Sequence, residues 1–187
     1  YPFAILVLLV SLGLVVSAWS NARERELKLA EAQFNNAVGN LASLVQLRLT
    51  SFDITLRGGA SLFAALKWPS PEHWRNYTDG LALQGRFPSL TGLGFAAYAD
   101  PERLARLQLL IRDSGNGRFS VYPHGRRPQY GPIVYLEPRT PENLLAVGFD
   151  MYSEPVRQAA MRAAMDSGQT RLSGKVHLVQ DAGKPIP

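Results

Sequence analysis

The sequence predicts an α+β protein in which a membrane helix and a long stalk helix precede an antiparallel sheet with flanking helices. Three observations predict it: an uncharged apolar stretch near the start, a proline-free helical stretch from Trp19 to Trp68, and an alternation of strand-like and helix-like segments after Pro69. This order favours one antiparallel sheet with helices on a face over a doubly wound parallel fold. We expect a transmembrane helix at 1–19, a stalk and dimerisation helix at 20–68 and a folded lobe at 69–187.

The first segment is apolar enough to cross a bilayer. Residues from Phe3 to Trp19 carry no charge, and their number lies at the lower limit of the roughly 17–25 that a spanning helix needs. Tyr1 and Trp19 stand at its two ends, where aromatic residues prefer the membrane interfaces. A cleaved signal peptide is the alternative, but no small-x-small cleavage site follows. Basic and acidic residues alternate after the span, so charge alone leaves the orientation open.

The next segment has the pattern of a helix that pairs. Its apolar residues alternate in steps of three and four, which is an a/d seam: Leu27, Ala30, Phe34, Ala37, Leu41 and Leu44. The seam predicts a parallel homodimer of stalk helices. The alternative is an ordinary amphipathic helix that lies on its own domain.

The remaining segments alternate between helix and strand. Prolines in the first turn predict helices from Pro71 to Leu83, from Pro101 to Arg112, and from Pro155 to a stop at Gly168, with Ser153 as the cap of the last. Ser114–Gly117 is a predicted turn. We expect strands at Leu90–Tyr98, Phe119–Tyr122, Tyr130–Leu136, Leu144–Phe149, Thr170–Leu172 and Lys175–Gln180.

Several classes of chemistry find no support in the sequence. The absence of cysteine excludes disulfides, zinc–thiolate sites and thiol nucleophiles. No phosphate loop, HExxH or Gly-x-Ser-x-Gly motif is present, and no histidine has a metal partner at helical spacing, so we expect no catalytic residues, no metal and no cofactor. Asp150 and Glu137 are interpreted as a helix cap and a strand end rather than a catalytic pair. The net charge of +5 is dispersed, which disfavours nucleic acid as a partner.

A set of short motifs resembles the CHASE sensory domain, an extracytoplasmic module of receptor histidine kinases and nucleotide cyclases. The motifs run in consistent order over roughly residues 40 to 180: Leu56-Arg-Gly-Gly-Ala-Ser-Leu-Phe63, Pro88-Ser-Leu-Thr-Gly-Leu-Gly-Phe95, Tyr130-Gly-Pro-Ile-Val-Tyr-Leu-Glu-Pro138, Val147-Gly-Phe-Asp-Met-Tyr-Ser153 and Leu172-Ser-Gly174. The resemblance implies that the chain from Asn21 onward is outside the cytoplasm. It also implies a PAS-like, membrane-distal lobe at 69–187 that stops before its last strand, and a second membrane span beyond it.

The resemblance also implies a ligand pocket. Where cytokinin receptors carry an acidic residue on the pocket helix, this chain has Arg157, which offers donors and no acceptor. Arg157 would therefore hold a carboxylate or phosphate rather than an adenine-like ring. The alternative is that Arg157 points outward or pairs with Glu154 or Asp150. The other expected contacts are Ser173, Tyr135, Phe149, Leu178 and Val179, although Phe149 equally suits the core.

The expected function is ligand sensing in a transmembrane receptor of the cell (inner) membrane, with the sensing domain in the periplasm or extracellular space. A small, anionic molecule would bind, and the stalk helices would pass the change to a cytoplasmic kinase or cyclase. The alternatives are a structural dimerisation spacer and a sensor of a partner protein. A pocket filled by the chain's own large side chains would favour the spacer, and exposed aromatic residues around Trp74 and Tyr77 would favour the protein partner.

Overall fold

The computed structural model describes residues 2–88, 90–113 and 119–181. In chain order these residues form α1 (Pro2–Leu66), α2 (Pro71–Gly80), α3 (Leu83–Arg86), β1 (Leu93–Ala96), α4 (Pro101–Asp113), β2 (Ile133–Glu137), α5 (Pro141–Ala146), α6 (Pro155–Ser167) and the 3-10 turns η1 (Met151–Ser153) and η2 (Val179–Asp181). The predicted α+β class is confirmed: a long N-terminal helix is followed by a small antiparallel sheet with helices around it. The predicted turn at 114–117 lies outside the described residues.

The chain divides into two compact units, one ending at Ile54 and one beginning at Thr55. The first unit is helical from Pro2 onward and belongs to α1. Its most apolar window has a mean hydropathy of 2.0, so by length and composition this helix could cross a membrane. Its seam side chains Leu27, Phe34, Leu41 and Leu44 are exposed in the single chain.

The second unit is organised around one pair of strands. β1 and β2 are antiparallel, with Phe95 opposite Tyr135 and a bulge between Phe95 and Ala96. Isolated bridges continue the pairing on both sides: Ala99 with Tyr130, Tyr122 with Phe149 and Pro132 with Asp150. Gly148 makes the second of these possible. Its φ is +89°, and a Cβ at this position would collide with the Ser120 carbonyl oxygen, so a larger residue is excluded.

Aromatic side chains fill the core on one side of this sheet. Phe63 of α1 stacks on Phe95 of β1 with ring centroids 3.7 Å apart. Trp74 of α2 stacks on Tyr135 of β2 at 6.3 Å, and the Tyr135 hydroxyl donates a 2.8 Å hydrogen bond to the carbonyl of Pro69. Phe63, Trp74 and Tyr135 thereby join the end of α1, α2 and the sheet in one apolar cluster.

One predicted strand is a helix. The apolar run Leu144–Phe149 is predicted as a buried strand, but Pro141–Ala146 forms α5, and only Phe149 takes part in a strand-like bridge. The reason is local: Thr140 accepts a 3.2 Å hydrogen bond from the Asn143 amide, and proline occupies the first turn. This cap nucleates a helix within the apolar run.

The predicted strands at Thr170–Leu172 and Lys175–Gln180 are also wrong. The first is irregular and the second ends in η2. A strand needs a neighbour that takes up its backbone groups, whereas the His177 carbonyl accepts a side-chain bond from Arg157 instead. Phe119–Tyr122 likewise contributes only the bridge at Tyr122. The sheet strands are shorter than predicted, while α4 and α6 agree with the prediction within one residue at each end.

Candidate functional site

A buried carboxylate holds η1, the 3-10 turn that leads into α6. Asp150 is fully buried and accepts three bonds: 2.8 Å from Arg127 Nε, 2.7 Å from the Gly131 amide and 3.0 Å from the Tyr152 amide. A buried charge with this many donors is compensated. Asp150 therefore caps the 3-10 turn η1 rather than the helix α6 that the sequence predicted it to cap, and it is Arg127 that neutralises it.

Glu154 is the N-cap of α6. Its two carboxylate oxygens accept the amides of Arg157 at 2.9 Å and Val156 at 3.0 Å, and these hydrogen bonds lower the pKa of Glu154. The prediction that Ser153 caps this helix is wrong, because the Ser153 hydroxyl donates to the carbonyl of Asp150. The side chain of Glu154 is longer than that of Ser153 and lies one residue nearer the helix, so its carboxylate reaches the free amides.

Arg157 lies one turn into α6 and is 9 % exposed. Its Nη2 donates to the His177 carbonyl at 2.5 Å, and its guanidinium lies 5.3 Å from the centroid of the Phe149 ring. Glu154 Oε2 stands 3.7 Å from its Nε, which is too long for a hydrogen bond. Within the described part of the chain, the Nε is therefore buried without a hydrogen-bond partner. Of the two carboxylates considered as its partner, Glu154 is the one that pairs with Arg157.

A cavity of about 240 Å³ adjoins this guanidinium. It is lined by η1, by one face of α6 and by the chain after α6: Met151, Arg157, Ala160, Met161, Ala164, Arg171, Ser173 and Val176. Arg171 is exposed and its Nε donates to Ser167 Oγ at 3.3 Å. The cavity thus combines two guanidinium groups and a hydroxyl with an apolar wall.

The structure brings together three of the six predicted site residues. Arg157 and Ser173 line the cavity, and Phe149 contacts the guanidinium of Arg157. Tyr135 is in the aromatic core instead. Leu178 and Val179 are half-buried and lie outside the cavity lining, with Val179 starting η2, which packs against α5.

Sequence reasoning missed Arg171 and the α6 residues that line the cavity with Arg157. A signal for the latter was present, since Arg157, Ala160, Met161 and Ala164 recur at i, i+3, i+4 and i+7 and so share one helix face. Nothing comparable marks Arg171, because its position depends on how the irregular segment after α6 returns along that helix.

Comparison with known proteins identifies the module that carries this site. The profile of the CHASE domain family matches residues 69–186, which is more than half of the chain. The chain belongs to the CHASE-domain family. A search of curated proteins finds no significant match to it.

The family sets the general role of the chain. A CHASE domain is an extracytoplasmic sensory domain of signalling receptors and is not itself catalytic. Residues 69–186 are therefore a sensory module on the outer side of a membrane, and the apolar part of α1 is suited to anchoring it there.

Proposed function

We propose that this CHASE domain senses a small anionic molecule, held in the cavity beside Arg157, and acts through α1 on a cytoplasmic kinase or cyclase. The observation that carries the proposal is the buried guanidinium of Arg157, whose Nε finds no hydrogen-bond acceptor among the described residues. Burying a charge costs free energy unless it is paired and hydrogen-bonded. Glu154 pairs with this guanidinium at 3.7 Å without hydrogen-bonding to its Nε, and a ligand carboxylate or phosphate would supply that bond, in a bidentate arrangement.

The other groups at the cavity favour the same chemistry. Arg171 adds a second positive charge, and Ser173 adds a hydroxyl that now donates to the adjacent Gly174 carbonyl at 3.0 Å. The Phe149 ring lies 5.3 Å from the Arg157 guanidinium, which orients its planar fork. An adenine-like ring would need an acceptor from the position of Arg157, and a guanidinium has none.

The whole-receptor arrangement is part of the proposal. Residues 1–19 would cross the cell membrane, residues 20–68 would form a stalk that pairs with a second copy through the exposed seam of Leu27, Phe34, Leu41 and Leu44, and residues 69–187 would form the membrane-distal PAS-like lobe in the periplasm or extracellular space. A second span and the output domain would follow. A ligand acts in such a receptor only through different affinities for two arrangements of the stalk.

The alternative function, sensing of a partner protein, lacks the exposed aromatic residues around Trp74 and Tyr77 that would favour it. It needs exposed aromatic residues around α2, but Trp74 is 3 % exposed and packs on Tyr135. The Tyr77 hydroxyl is likewise used inside the domain, on the carbonyl of Thr55.

A thermal-shift screen of the chain against organic acids, nucleotides and adenine derivatives tests the proposal. A ligand at a hundredfold over its Kd stabilises by about 2.7 kcal/mol, which raises the Tm of a domain of this size by several degrees. The shift should disappear in Arg157→Ala and persist in Arg162→Ala, a control on the same helix whose guanidinium binds Gln129. A shift with adenines alone, or one that survives in Arg157→Ala, contradicts an anion site at Arg157.

A further inference from the structure

One turn of α1, Thr55–Gly59, is held by α2. The Tyr77 hydroxyl donates a 2.5 Å hydrogen bond to the carbonyl of Thr55. Burial raises the pKa of this phenol, and a hydrogen bond from the Gly59 amide partly opposes that rise. The hydroxyl therefore contacts the carbonyl of Thr55, which in the continuous helix α1 also accepts the amide four residues further on, since N–H(i) bonds to C=O(i−4).

Glycine at position 58 permits this contact. A Cβ at Gly58 would lie 2.6 Å from the Tyr77 hydroxyl oxygen, whereas one at Gly59 would make only an ordinary contact, 3.5 Å from the Trp74 ring. Each glycine weakens a helix interior by about 1 kcal/mol relative to alanine. This turn is thus intrinsically weak, and a side chain that contacts its backbone hydrogen-bonding groups adds to its capacity to bend.

The loop after α6 holds the same turn from another element. Arg57 Nη2 donates a 2.8 Å bond to the side-chain oxygen of Gln169. Gln169 follows the left-handed cap Gly168, and its amide bonds to the Ser167 hydroxyl, which Arg171 Nε also contacts. Further along, this loop reaches Ser173 in the cavity lining.

We propose that the Thr55–Gly59 turn is the point at which a rearrangement of the Arg157 cavity is passed to α1. Gln169 supplies the link on the cavity side, and Tyr77 supplies the fixed support on the α2 side. The inference concerns the transmission step and rests on the proposed function for its biological role. Its test uses no ligand, so failure of the ligand screen and failure of this proposal are separate results.

The first arm measures backbone hydrogen exchange in the whole chain, reconstituted in lipid nanodiscs. Tyr77→Phe removes the hydroxyl and should speed exchange at 57–61 about fivefold, equivalent to ~1 kcal/mol for one hydrogen bond. Tyr98→Phe is the control, because the Tyr98 ring packs on Tyr152, away from this turn. Unchanged exchange at 57–61 in Tyr77→Phe overturns the supporting role of Tyr77.

Substitutions at two glycines provide a second test of the Tyr77 contact. Gly58→Ala and Gly39→Ala both gain about 1 kcal/mol of helix propensity, but only the methyl group at position 58 displaces the Tyr77 hydroxyl, since a Cβ at Gly39 meets nothing within 4 Å in the described chain. Gly39→Ala should therefore slow exchange in its own turn, whereas Gly58→Ala should slow exchange at 57–61 by less or not at all. In the Tyr77→Phe background, Gly58→Ala should slow exchange at 57–61 as much as Gly39→Ala does in its own turn, since the atom that the methyl group displaces is gone. Full additivity of the two changes contradicts the contact as described.

The second arm tests transmission from the cavity. Arg157→Met releases the His177 carbonyl and should change exchange at 57–61 at least twofold. The same substitution in a Gln169→Ala background should leave 57–61 unaltered, because the link to Arg57 is missing. Arg157→Lys repeats the comparison if Arg157→Met fails to fold. The proposal is overturned if the exchange rate at 57–61 is unchanged in both Arg157 variants. It is also overturned if the effect of the Arg157 substitution on that rate persists in the Gln169→Ala background.

Discussion

The Asp150 carboxylate accepts a 2.8 Å hydrogen bond from Arg127 Nε while being completely shielded from solvent. Arg127 is itself held from a second side, since its Nη2 donates to the Pro123 carbonyl at 2.7 Å. The pair therefore ties the loop before β2 to the turn that begins α6, and with it to the cavity residue Arg157.

Removing Arg127 should be strongly destabilising. Arg127→Met leaves the Asp150 charge buried without its partner, which costs about 3–5 kcal/mol. Arg127→Met/Asp150→Asn should recover part of the loss, since the remaining amide is uncharged. Arg103→Ala is the control, because its ion pair with Asp100 is exposed and should contribute less than about 1 kcal/mol. Urea unfolding in detergent gives all three values, and equal losses in Arg127→Met and Arg103→Ala would contradict the expectation.

The cap of α5 should have a measurable effect of its own. Thr140→Ala removes the acceptor of the Asn143 amide and should cost about 1 kcal/mol, within the usual range of roughly 0.5–2 kcal/mol for such caps. Ser61→Ala is a matched loss of a hydroxyl, since the Ser61 hydroxyl only donates back to the Arg57 carbonyl within its own helix. A Thr140→Ala variant as stable as Ser61→Ala would mean that α5 forms without its cap.

The Asp150–Arg127 pair and the Thr140 cap also show which parts of the fold could be predicted from the sequence and which could not. The ends of α6 were predictable because Pro155 and Gly168 act locally on the backbone. The Thr140-Pro141 start of α5 is equally local, but the apolar run that follows also suits a buried strand. Strand pairing depends on segments far apart in sequence, so the irregular backbone that follows Thr170 could not be predicted.

The candidate site likewise has a part that local signals determine and a part that depends on long-range strand pairing. The position of Arg157 on α6 was predictable because that helix followed from local signals, and its role in a pocket stays a prediction that the family resemblance makes. Tyr135 is predicted as a pocket wall but lies outside the cavity lining, because a strand has two faces and its hydroxyl reaches Pro69 on the aromatic side. Which face turns inward depends on the register with β1, which the sequence does not state.

The stability of α6 should depend on pH through Glu154. Its folded pKa is lowered by the amides of Arg157 and Val156 to below the ordinary 4.5, so its stabilising effect is present above 4.5 and is lost as the pH falls through the lower, folded value. Glu154→Gln should therefore lower the Tm at about pH 6.5, and the difference from the wild type should shrink towards about pH 3. A difference that stays constant over this range would show that the charge on Glu154 is not the source. Glu102→Gln provides the comparison, because Glu102 is an exposed residue of α4.

Tyr135 and Phe149 should separate core from ligand contacts. Tyr135→Phe leaves the Pro69 carbonyl without its donor, which should lower stability by about 1–3 kcal/mol. The ligand-induced rise in Tm should stay unchanged, since Tyr135 is outside the cavity lining. Phe149→Leu should instead reduce the ligand-induced rise in Tm, because it removes the ring that orients the Arg157 guanidinium. This reduction should be seen even where the Tm of the free protein changes little. If instead Tyr135→Phe abolishes the rise and Phe149→Leu preserves it, the ligand lies on the aromatic side of the sheet, and the cavity beside Arg157 is not the sensory site.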